Sequence, residues 1–339
     1  MRLRVKSTTV SSIRKTRQLN LASAVIVWAL FVIGAAFAGI RLGYIGPRFA
    51  LALGVAAILF AFELFLAAPE ALSSVRQMLG ERGGDLAVLG PIFAVVIYSL
   101  GVTRDWKYLL AGVVYATVPA LLLASSTRKS AGTWQDYVAA IFIWLGVWPL
   151  PPYRLLNHVF PFPSPLTHTL SILMALSTGV AAYILLRKLD GIGYAVEWRR
   201  GFLGNVIFHF VIFAAVAIPL GMRIGFLTYD PGLIFSRSHW AAAIGILFFT
   251  AWPEEFLFRG ILQNSFSRTF KNQWAGLAAA SVVFGFSHIL HAPRPNWNYV
   301  LLATIAGMFY GRAWMKSGSL VPGTIIHFLV DTFWHVLFR

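Results

Sequence analysis

The stretch WPEEFLFRG, residues 252–260, sets Glu254, Glu255 and Arg259 inside an otherwise apolar run. A charge at the centre of an inserted helix costs about 2.5–3.5 kcal/mol on the translocon scale. Three such charges so close together need a reason. Glu255 and Arg259 are four apart and can neutralise one another on one helix face. Glu254 lies roughly 100° away around the axis and has no local partner. Pro253 lacks an N–H and loosens the hydrogen-bond ladder just before the acids.

Two later runs add histidines. In FGFSHILHAP, Phe284 and His288 are four apart on one face, and His291, beside Pro293 and Arg294, suits an interfacial position. In GTIIHFLVDTFWH, His327, Asp331 and His335 recur every four residues and form one polar stripe on an apolar helix. Gly323 and Thr324 begin that face, where a neighbouring helix can approach closely. A polar stripe at membrane depth must face protein or a water-filled cavity. His335, two turns beyond His327, reads as structural.

The chemistry this set can do is hydrolysis. An unpaired acid in an apolar setting suits general acid and base work, so Glu254 with His288 can hold and deprotonate a water. His327 with Asp331 can stabilise an oxyanion. Glu254, His288 and His327 could equally hold a divalent metal such as zinc, which would acidify the water. The H-E-x-x-H signature of many metalloproteases is missing. No organic cofactor is expected.

The elements that position these residues are membrane spans. The chain is 58% apolar and 12% charged, against about a quarter charged for a soluble domain, which makes it a polytopic membrane protein. Apolar runs at 21–40, 49–68, 86–102, 107–124, 138–156, 166–186, 203–222, 239–266, 273–291, 298–315 and 318–338 predict an all-α bundle of about ten or eleven transmembrane helices. The third run is interrupted by Gly90-Pro91 and the fifth by Pro149, Pro151 and Pro152. The basic residues concentrate on one side of this map: the N-terminal tail, the 187–200 loop and the turns near 268–271 and 312–316. That bias predicts a cytoplasmic N-terminus. It also accounts for most of the +16 net charge through anionic lipid rather than nucleic acid. With no cysteine, thiol nucleophiles, thiolate ligands, disulfides and cysteine-borne lipid anchors are excluded.

Helix geometry tests convergence. The runs around 239–266 and 273–291 form a hairpin turning at 267–272, which puts Glu254 level with position 285 and His288 about one turn, roughly 5 Å, beyond it. His327 lies roughly 16 Å into the membrane from Lys316, near the depth of Glu254. His288 fits least well. The organisation expected is a basic tail over 1–20, a multi-span region of unassigned role over 21–237, and a site-bearing membrane domain over 238–339.

EEFLFRG, then FGFSH, then HFLVD, in that order on separate spans, resembles the CPBP family, the type II CAAX prenyl endopeptidases and their bacterial relatives, also called abortive-infection proteins. The family pattern of Glu-Glu-x-x-x-Arg, Phe-x-x-x-His and His-x-x-x-Asn/Asp falls on Glu254, Glu255 and Arg259, on Phe284 and His288, and on His327 and Asp331. The resemblance implies an intramembrane endopeptidase acting on a membrane-associated peptide or protein. Within it, Glu254 and His288 activate water, His327 and Asp331 bind the oxyanion, and Glu255 and Arg259 orient the site. The expected setting is a prokaryotic plasma (inner) membrane. The residues alone also admit a proton- or ion-coupled transporter, or an inactive immunity or binding protein on the same fold. The transporter reading lacks the paired halves with interrupted helices that such proteins often carry.

Overall fold

In a computed structural model, residues 17–80, 84–127, 129–147 and 166–339 are described. Most of the basic tail, together with Arg82, Arg128, Arg154, Pro149, Pro151 and Pro152, lies outside the described residues.

Each apolar run in the described part becomes a helix, and polar residues at the run ends set where it starts. Asn20 caps α1 (Leu21–Arg41) by accepting from the Ser23 amide at 2.8 Å. Pro47 and Pro69 open α2 (Pro47–Leu66) and α3 (Pro69–Leu79), where their missing N–H is no loss. Helix α4 (Leu89–Tyr98) continues in a wider π-helical turn to Thr103. Asp105 caps α5 (Trp106–Ala124), and a Thr133–Asp136 capping box opens α6 (Trp134–Leu145). Helix α7 (Leu166–Gly179) runs on as π-helix through Leu186, and α8 spans Phe202–Arg223. The acid-bearing helix α9 is one helical run over Ser238–Thr269. Asn272, Asn296 and Ser319 cap α10 (Gln273–Phe286), α11 (Trp297–Ser317) and α12 (Leu320–Leu337).

The protein is an all-α polytopic membrane bundle. Among the described residues, seven helical runs are long and apolar enough to cross a membrane: α1, α2, α5, α7, α8, α9 and α12. The apolar segments of α4 and α10 are shorter. Outward faces carry exposed Ile26, Leu30, Ile33 and Phe37 on α1 and Leu203, Ile207, Phe208 and Val211 on α8, as lipid contact requires. At the centre stands α7, whose Val180–Leu186 turn is wholly buried. A single two-residue ribbon, β1 (Arg17–Gln18) with β2 (Glu197–Trp198), joins the segment before α1 to the 187–200 loop.

Two devices hold the site-bearing helices in place. The first is close approach through glycine. A Cβ on Gly307 of α11 would stand 3.0 Å from Cα of Ser281 on α10, and one on Gly285 would stand 2.7 Å from the Val300 carbonyl. Small residues therefore let α10 and α11 pack backbone to backbone, the usual means of helix association where lipid removes a hydrophobic drive. The second is a buried ion pair between the first turn of α6 and the end of α7. Arg187 Nε donates to Asp136 Oδ1 at 3.0 Å and Nη2 to the Ser130 carbonyl at 3.0 Å, while Tyr183 donates to the Asp136 carbonyl. Asp136 also accepts from the Gly132 and Thr133 amides at 3.0 Å. Beside this clasp, the hydroxyls of Tyr137 and Thr269 bond at 2.6 Å, tying α6 to the end of α9.

Several polar residues of the earlier spans have structural partners. Asn205 donates to the Ala313 carbonyl at 3.0 Å, and His209 Nδ1 donates to the Asn205 carbonyl at 2.8 Å. Both stitch α8 to α11 or to itself.

Removing one member of a buried pair leaves an uncompensated charge at a cost of about 3–5 kcal/mol. Asp136→Ala and Arg187→Ala are each expected to lower the unfolding temperature of the detergent-purified protein strongly, whereas Arg199→Ala, at an exposed pair with Glu197, should leave it within error. Equal effects at the two sites would contradict the clasp.

Candidate active site

The site grows from an irregular helix. Just before the acids, α9 widens to π geometry over Leu247–Ala251, tightens for the turn Trp252–Glu255, and widens again over Phe256–Gln263. Pro253 explains part of this, because a residue without an N–H cannot complete the regular ladder. Widened turns of this kind recur at functional sites.

Glu255 is fully buried and shared. Its Oε2 stands 3.2 Å from Arg259 Nε, and its Oε1 accepts from His327 Nδ1 at 3.0 Å. Glu255 and Arg259 are therefore more than the self-contained pair that their spacing suggests. The acid bridges two helices, and α12 reaches it only because residue 323 is glycine, where a Cβ would lie 2.8 Å from Glu255 Oε2. Arg259 is 1% exposed and its two terminal nitrogens have no hydrogen-bond partner among the described residues. Aromatic faces take their place: the guanidinium carbon lies 4.4 Å from the Phe284 ring centre, 5.3 Å from Tyr310 and 5.9 Å from Phe258. Cation–π contacts of this type gain strength when desolvated.

With Nδ1 bound by Glu255, the His327 ring is fixed, and Tyr310 stacks on it at 4.7 Å. Its Nε2 then lies 3.8 Å from Glu254 Oε2 and 3.5 Å from Asp331 Oδ2. Glu254 is the accessible acid: its side chain is 31% exposed, against 0% for Glu255. The Glu254 Oε2 atom is nonetheless buried without a hydrogen-bond partner among the described residues.

His288 sits at the end of α10, edge-on to Phe284 at 4.9 Å. Its Nδ1 is 2.9 Å from the Phe284 carbonyl and 3.0 Å from Ser287 Oγ. A carbonyl only accepts, so Nδ1 carries the hydrogen and Nε2 is left as the free acceptor. His288, His327 and Asp331 line one cavity of about 300 Å³. Among the described contacts, no hydrogen bond or ion pair joins His288 to Glu254. His291 stacks on His288 at 5.4 Å, and the exposed His335 bonds through Nδ1 to the Asp331 carbonyl at 2.8 Å. Neither joins the network.

Among the described residues, no group of three or more His, Asp or Glu side chains is arranged to hold an ion. Glu255 already engages Nδ1 of His327, which leaves Nε2 as the nitrogen that faces Glu254 and Asp331.

The family described as Type II CAAX prenyl endopeptidase Rce1-like matches residues 236–333. That segment belongs to this family. It contains Glu254, Glu255, Arg259, His288, His327 and Asp331, and the apolar helices make the chain an integral membrane protein. Comparison of the chain with curated proteins and with solved structures finds no match.

The CAAX-protease segment does not build its cavity alone. Phe210, Phe213, Ala214 and Ala217 of α8, outside the matched residues, form one wall. Tyr310 and Tyr299, which rest on His327 and His288, carry no signal in sequence. They belong to α11, whose charged residues, Arg312 and Lys316, take no part in the network, and only packing reveals them.

Gly323→Ala pushes a methyl against Glu255 Oε2, and overpacking costs of about 1–3 kcal/mol follow. The variant is expected to melt at a lower temperature, while Gly204→Ala, with open space at its Cβ, should not change the melt. Indistinguishable melting curves would refute this close approach.

Proposed function

We propose that the protein is an intramembrane endopeptidase that cleaves a peptide bond of a membrane-associated protein or peptide. The observation that carries the proposal is an accessible acid, Glu254, 3.8 Å from a histidine that Glu255 fixes in place, beside a cavity shared by His288, His327 and Asp331. Water bound between Glu254 and the free Nε2 of His288 gives up a proton to Glu254 as its oxygen adds to the scissile carbonyl carbon. The carbonyl oxygen gains the electron pair and is stabilised by a proton on His327 Nε2, beside Asp331, while Glu255 holds that ring at Nδ1. Collapse of the intermediate expels the amine, which takes the proton from Glu254. Glu255 and Arg259 touch no reacting atom and act as positioning residues.

The cavity walls include Phe210, Phe213, Phe226, Phe333 and Trp334, which suits an apolar segment of the substrate. A cytoplasmic N-terminus, resting on the basic loops, and a prokaryotic inner membrane, resting on the family resemblance, belong to the same proposal. No step passes through a metal.

Removing a general base costs typically about 10²–10⁴-fold in rate. Glu254→Ala and His288→Ala are therefore expected to lose proteolysis by at least two orders of magnitude while inserting and melting like the parent. Peptidomics of cells carrying the parent or Glu254→Ala supplies both the substrate and the assay. Full cleavage by either variant sinks the assignment of roles. Cleavage by the purified protein is further expected to survive exhaustive chelation; loss on chelation with recovery on added zinc would overturn the metal-free mechanism.

A further inference from the structure

A second cavity, of about 250 Å³, follows the N-terminal half of α12, whereas the candidate active-site cavity follows its C-terminal half. Most of its wall is apolar, with Phe60 of α2, Phe248 and Trp252 of α9 and Ile325 of α12. Two polar groups break that wall. Thr324 is 3% exposed, and its Oγ1 has no hydrogen-bond partner among the described residues. Glu63 is 4% exposed, and Ser177 Oγ donates to its Oε1 at 2.8 Å. Among the described residues, Glu63 forms no ion pair, unlike the buried acids Asp136 and Glu255.

An acid facing an apolar cavity without a cation is costly to keep unless a donor meets it. Nothing in the hydrolytic network uses Glu63, which lies on α2, far in sequence from residues 236–333. It also lies within one turn of the end of α2 at Leu66. The rim there is formed by Leu19 and Val196, which flank the β1–β2 ribbon. The polar end of the cavity is thus close to the end of the spans, and the apolar end runs inward to Phe60 and Phe248, whose rings meet at 5.5 Å. That is the polarity of a single-chain amphiphile entering from the membrane edge.

We propose that this cavity binds a single-chain amphiphile with a terminal ammonium group. The ammonium donates to the Glu63 carboxyl oxygen that Ser177 leaves free, Thr324 Oγ1 offers a further acceptor in the same space, and the alkyl chain lies among Phe60, Phe248, Trp252 and Ile325. Charge complementarity selects the head. A carboxylate head is repelled by Glu63, and an alcohol head forms a neutral bond of roughly half the strength of a charge-assisted one. The site shares α9 and α12 with the candidate active site but none of its charged residues, so binding is measurable without proteolysis.

The test uses the full chain in a non-ionic detergent, titrated at neutral pH with decylamine, decanol and decanoate and followed by calorimetry. Decylamine is expected to bind about tenfold or more tighter than decanol, with decanoate weakest. Glu63→Gln keeps an acceptor for Ser177 and should lose that preference while retaining the parent melting temperature. Leu64→Trp, which fills the cavity from its α2 wall, should abolish saturable binding of all three probes. Equal affinity of the parent for decylamine and decanol, an unchanged preference in Glu63→Gln, or undiminished decylamine binding in Leu64→Trp would each overturn the proposal. Should Glu63→Gln fail to fold, the comparison of the three probes on the parent and on Leu64→Trp still decides it.

Discussion

A buried carboxylate shared between an arginine and a histidine is the constraint on which the site rests. Glu255 is taken wholly out of water, and each of its oxygens meets one partner: Arg259 on its own helix and His327 on α12. In a medium of low dielectric, such a group is tolerable only when fully engaged. The engagement therefore fixes more than one side chain. It fixes the register of α12 against α9, the plane of the His327 ring, and hence the atom, Nε2, that faces Glu254 and Asp331.

Other features follow from keeping that arrangement dry and close. Arg259 cannot find enough oxygen acceptors at this depth, and three aromatic rings stand in for them. Phe284 serves twice, as a face for the guanidinium and as an edge against both His288 and His327. Gly323 admits the acid to α12 and also lies against the Tyr310 carbonyl, 3.3 Å from where a Cβ would stand, beside the stack of Tyr310 on His327. Aromatic and small residues thus divide the work that water does at a soluble active site. The earlier spans serve the same close packing: α8 closes the cavity that the family segment leaves open.

Much of this is legible in the amino-acid sequence. The three motifs, their order and their four-residue spacings name every ionisable member of the network, because periodicity puts such residues on one helix face whatever the surroundings. The apolar runs likewise give several described helices closely, as 21–40 becomes Leu21–Arg41 and 203–222 becomes Phe202–Arg223, but the 273–291 run stops at Phe286 and α3, only weakly apolar, has no run of its own. Only Pro253 foreshadows the π-helical widening. Depth counted along the helices brings His327 to Glu254, and the residue that fits this count least, His288, shares the cavity with no hydrogen bond or ion pair to that acid among the described contacts.

Composition and periodicity by themselves determined the all-α membrane class, the ends of most spans and the identity of the charged residues that lipid would otherwise reject. These are local properties, set by transfer cost and by 3.6 residues per turn. Tertiary structure alone decided which acid is committed to the scaffold and which is left exposed. Glu254 and Glu255 are adjacent and chemically identical, so no local rule separates them. They differ because α12 approaches through Gly323 on one side of α9, burying Glu255 against His327 and leaving Glu254 at the edge of accessible space.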